Sequence, residues 1–197
     1  MKAEDCANSR RSQRAQSLVE FAISSTVLLL LGMGLLDLSR AFYYAVNLQG
    51  AAREGARHGA WFNTNARANP YLDDADIMTA VKQSLYGAGF KDPQITLITN
   101  AGCLAPSDGN GANNKPYSSS AYPTNSQTVN VYICYTDPNG VKSATRASAP
   151  TDNAWRLGDV NVSILMNFAL ITPFIQGIFG NGLNVAYNEH FTVQGKP

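Results

Sequence analysis

Residues 18–36 read LVEFAISSTVLLLLGMGLL, nineteen positions with one ionisable side chain, Glu20. As a helix this run rises about 28 Å, close to the thickness of one bilayer core. Lys2, Arg10, Arg11 and Arg14 precede it against Glu4 and Asp5. The positive-inside bias therefore predicts a cytoplasmic N-terminus and an outward-facing remainder. A cleaved secretory signal also begins with basic residues and an apolar run, and Ser39-Arg40-Ala41 could serve as its junction. That alternative fits poorly, because the run exceeds the usual h-region of about 7 to 15 residues and holds an acid near its start.

The chain has 197 residues, enough for one core plus an accessory segment. With 45% apolar residues, 15% charged residues and a net charge of +1, it fits neither a disordered chain nor a strongly basic nucleic-acid binder. Glu20 is the informative residue of the run. A carboxylate at mid-span costs about 2.5 to 3.5 kcal/mol, less near the cytoplasmic end, and is a functional candidate by default. It either reaches the headgroups, bonds Ser24 one turn along, or meets a counter-charge from elsewhere.

Three stretches carry a family resemblance: Arg14-Ala15-Gln16-Ser17-Leu18-Val19-Glu20-Phe21, then Asp37-Leu38-Ser39-Arg40, then Ala51-Ala52-Arg53-Glu54-Gly55-Ala56-Arg57. Together they resemble the TadE-like pseudopilins of tight-adherence (Flp-type) pilus systems. The likeness is dense over residues 10–60 and looser over Asp159 to Val193. It implies a prepilin peptidase cutting between Ala15 and Gln16, with Glu20 the fifth residue of the mature chain; the family more often has Gly before the cut. The new α-ammonium of Gln16 and the Glu20 carboxylate would stand one helical turn apart, able to pair within a subunit or between neighbours. The resemblance further implies a structural subunit of the bacterial cytoplasmic membrane, single-pass, whose partners are other pilins, pseudopilins and the pilus assembly platform. It would help to start, cap or support the filament. The rival expectation is an anchored extracytoplasmic binding module or adhesin that never enters a fibre.

Beyond the run, Asp37 to Ala60 continues without Pro, and a helix is expected over 16–68, with 1–15 as leader and 69–197 as an extracytoplasmic head. Small residues recur at Ala41 and Ala45, then at Ala52, Ala56 and Ala60, with Gly55 and Gly59 on an adjacent line. Such a stripe lets a second helix approach closely, either a neighbour's or one from the protein's own head. Asp37 with Arg40, and Arg53 with Glu54 and Arg57, suit local solvated ion pairs. Asn69-Pro70 ends the first helix, and Asp73, Asp74 and Asp76 open a second that Gly87 and Gly89 close. Strands are predicted at 94–99, 128–136, 141–146, 159–168 and 183–193, with a turn at Asp137-Pro138-Asn139-Gly140. Thr172-Pro173 reads as the N-cap and first turn of a short helix ending at Gly180. The expected fold class is α+β: a mainly antiparallel sheet head carried on a long transmembrane and amphipathic helix, a pilin-like lollipop.

Cys6 lies in the leader, while Cys103 and Cys134 lie in the exported part, where oxidation is permitted. One disulfide is expected, the alternative being two free thiols. Its loop includes residues 104–127, where fourteen of twenty-four are Gly, Asn, Pro or Ser, so the staple would restrain a stretch with little core of its own. Asp108-Gly109-Asn110-Gly111 resembles half a calcium loop, but Ala112 and Ser119 occupy later ligand positions, and no metal is expected. Tyr117 and Tyr122 are either an exposed patch for a surface or adhesion target, or packing anchors. His58 and His190 sit in no nucleophile or metal motif, and no phosphate loop or basic aromatic stripe exists. Neither enzymatic activity, nor a cofactor, nor nucleic-acid binding is expected. Without residues 1–15 the chain keeps 11 basic and 12 acidic residues, a net charge of −1.

Overall fold

A computed structural model describes residues 3–61, 73–99, 103–104, 116–139, 142–143, 156–180 and 182–194. Its axis is α1, Ala3–Ala60, 58 residues that span about 87 Å. No Pro interrupts it, so the backbone ladder has no reason to break at the end of the apolar run. The helix stops at Ala60 rather than at residue 68 as expected. Asn69-Pro70 lies outside the described residues.

The head packs on the C-terminal part of α1. Its second helix, α2 (Asp74–Gly87), starts where the Asp73 carboxylate accepts hydrogen bonds from the N–H groups of Ala75 and Asp76 at 3.0 and 3.3 Å. This cap satisfies donors that the first turn leaves orphaned. Ile77, Met78, Val81 and Leu85 form the buried face of α2.

Five strands follow: β1 (Ile95–Leu97), β2 (Thr128–Thr136), β3 (Lys142–Ser143), β4 (Asp159–Ala169) and β5 (Gly182–Thr192), with α3 (Pro173–Phe179) between the last two. The sheet order is β1-β2-β4-β5, with β3 on β2. Pairings of β2, β4 and β5 are antiparallel, as expected, but β1 runs parallel to β2. A parallel neighbour needs a long crossover, and the chain between Leu97 and Thr128 supplies it. β1 is shorter than the predicted 94–99, because Asp92–Gln94 forms a 3₁₀ turn.

Val129, Val131, Ile133 and Tyr135 face Met166, Ile164, Val162 and Val160 across the β2–β4 ladder. All eight are buried against α1 and α2 in the main core. The alternation in the sequence thus becomes one inward face. On the opposite face Tyr132, Leu165 and Ala186 pack with Tyr117 and Ala121. Tyr117 is buried and Tyr122 half-buried there, so both serve as packing anchors. Cys103 and Cys134 are bonded, with Cα atoms 5.1 Å apart. The Asp108–Gly111 stretch lies outside the described residues.

Candidate functional site

The region of interest runs along α1 from Gln16 to the base of the head. Gln16–Ala60 contains the one described stretch long and apolar enough to cross a membrane, and no residue of its most apolar window is buried. Gln16 and Glu20 are both exposed, four residues apart on one helix. Ala15 lies in the same helix, next to the proposed junction.

One residue past the run, Asp37 is 3% exposed although it is charged. Its carboxylate accepts from the N–H of Ile171 at 3.1 and 3.2 Å and from the N–H of Thr172 at 2.8 Å. Arg40 Nη1 lies 3.4 Å away, and the same guanidinium stands 5.3 Å from the ring centroid of Phe168. Burial pushes the Asp37 pKa up, but the Thr172 hydroxyl and N–H, the Ile171 N–H and Arg40 together hold it below the usual carboxylate range. The expected i,i+3 pair with Arg40 is present, but Asp37 is not solvated: it also ties the helix to the β4–α3 link, 134 and 135 residues away. Thr172 is the N-cap of α3, with Pro173 in its first turn as expected, though its side chain makes no capping hydrogen bond. Just above this neck, Tyr44 packs edge-on against Phe90 and at a tilt against Phe168.

Higher on α1 the small residues divide into two groups. Ala52, Ala56 and Ala60 are buried under the protein's own head, and Ala51 with them. A Cβ added at Gly55 would overlap Cγ2 of Val81, and one at Gly59 would lie 2.6 Å from Cδ1 of Ile77. The close approach that this stripe permits is taken by α2. Ala41 and Ala45 are only half-buried. The face of α1 turned from the head instead shows Phe42 and Val46 at 65 and 67% exposure.

Several other charged side chains are engaged in pairs. Arg57 binds Glu54 through two hydrogen bonds of 3.0 and 2.6 Å, which lower the Glu54 pKa. His58 Nε2 lies 2.9 Å from Asp76, and His190 Nδ1 lies 3.2 Å from Asp159. Burial raises the pKa of Asp159, against the opposing pull of His190. No group of three metal-ligating side chains occurs among the described residues.

The Asp37 latch was not legible in the sequence, because its partners are backbone N–H groups distant in the chain. An acid placed immediately after an apolar run was the only available signal.

A family model described as TadE-like protein matches residues 15–57. No curated protein and no solved structure matches the chain. The matched segment holds the junction residues, Glu20, the whole apolar run and the Asp37 neck. Over residues 15–57, the part that would enter the membrane and carry the head, the chain is TadE-like.

Proposed function

We propose that the protein is a minor pseudopilin: a non-enzymatic, single-pass subunit that helps to start, cap or support a tight-adherence pilus, with its N-terminus inside and its head outside. The observation that carries this reading is the TadE-like match over residues 15–57, which includes Ala15, Gln16 and Glu20. A prepilin peptidase cuts between Ala15 and Gln16. The new ammonium and the Glu20 carboxylate then compensate each other in the apolar filament interior, which biases incoming subunits toward one axial register. The exposed Phe42 and Val46 suit contact with neighbouring helices more than the alanines under the head do. Cys103–Cys134 fastens part of the long crossover to the central sheet.

The test combines mass analysis of membrane-extracted protein with tag localisation on sheared filaments. The mature chain is expected to begin at Gln16, and Glu20→Ala is expected to insert in the membrane yet disappear from filaments. Unchanged incorporation of Glu20→Ala would remove Glu20 from assembly, and a chain that retains Met1 and is absent from sheared filaments would instead identify a tethered extracytoplasmic binding module.

A further inference from the structure

The α3 segment lies below the head, against the part of α1 assigned to the membrane. A Cβ added at Gly34 would lie 3.5 Å from Cδ1 of Ile175. Gly34 is two residues inside the outer end of the 18–36 run, about 3 Å along the helix axis. A groove of about 410 Å³ opens there between Leu31, Gly34, Leu35 and Leu38 of α1 and Ile175 of α3. From Ile171 to Phe179 the sequence is ITPFIQGIF, without a charged residue. Ile171 is 65% exposed, which leaves a large aliphatic side chain unburied at this level.

Several polar groups of the same link find partners within the protein. The N–H groups of Ile171 and Thr172 donate to Asp37, Pro173 has no N–H, and the side-chain amide of Gln176 donates to the carbonyl of Leu170 at 2.6 Å. Irregular backbone tolerates a water-poor environment only when its polar groups find partners within the protein. Here they do so beside an apolar surface that is left open.

We propose that Ile171–Phe179 is a membrane foot that seats the head on the outer leaflet, with Ile171 and the α1–α3 groove in contact with phospholipid acyl chains. The proposal rests on the reading that residues 18–36 cross the bilayer, because the foot is continuous with that run. It assigns the Asp37 latch a purpose: holding the foot at a fixed depth relative to the span.

The test places the full chain in phosphatidylcholine–phosphatidylglycerol vesicles that contain a phospholipid with a photoreactive diazirine on its acyl chain. After irradiation, adducts are mapped by mass spectrometry. Adducts are expected within 18–36 and also within 171–179. Ile171→Asp, a change at an exposed position, is expected to lose the second set and keep the first, with the Cys103–Cys134 bond intact. Adducts in 18–36 with none in 171–179 would overturn the foot and leave the anchor standing. The foot is overturned in the same way if Ile171→Asp labels as the parent does. Absence of adducts from both segments would overturn the anchor, and the foot with it.

Discussion

Asp37 shows how one side chain converts a helix and a head into a single unit. Its carboxylate is buried, and the latch needs it ionised and accepting. Asp37→Ala strands two backbone donors and Arg40, and should cost about 2 to 4 kcal/mol in urea unfolding of the full chain in detergent micelles. The pH dependence follows from the sign of the shift. The folded pKa lies below the unfolded value of about 3.9, so the stabilisation is complete above that value and is lost as pH falls through the folded pKa. Asp37→Asn should flatten this acid limb, measured as unfolding midpoint against pH. An unchanged limb would show that other carboxylates control it.

At the scale of elements, the α1–α2 contact depends on glycine where the two helices nearly touch. Gly55 has no room for a methyl group beside Val81, whose β-branched side chain is stiff and fully buried. Gly55→Ala should therefore lower stability by about 1 to 3 kcal/mol through overpacking. Gly50 lies on the same helix with no neighbour within 4 Å of an added Cβ. Gly50→Ala should raise stability by about 0.5 to 1 kcal/mol, because only helix propensity changes. Thermal unfolding of the pair distinguishes packing from propensity; the same sign for both would show that α2 does not press on α1 at Gly55.

For the whole molecule, the important division is between the face of α1 that the head covers and the face it leaves open. Phe42 and Val46 are exposed above the membrane run, so substituting them removes little from the protein's own core. Phe42→Ser with Val46→Ser should leave the unfolding midpoint nearly unchanged, within about 1 kcal/mol, and reduce recovery of the subunit in sheared filaments. Normal recovery would exclude this face from assembly. The long helix thus combines an apolar N-terminal part long enough to cross a bilayer, a middle with an exposed apolar face, and an upper part that is the floor of the head.

Much of this was legible without coordinates, because it rests on local pattern. A nineteen-residue apolar run specifies a helix long enough to span a bilayer, alternation over 128–136 and 159–168 specifies strands, and Asp73 marks the start of α2. These signals lie within a few residues of one another, where backbone geometry alone links pattern to structure. Tertiary structure decided the rest. It gave Ala52, Ala56 and Ala60 to the head, set β1 parallel to β2, buried Tyr117, and brought the N–H groups of Ile171 and Thr172 to Asp37. Each of those outcomes depends on which distant surface arrives at a residue, and a small side chain or a carboxylate is compatible with more than one arrival.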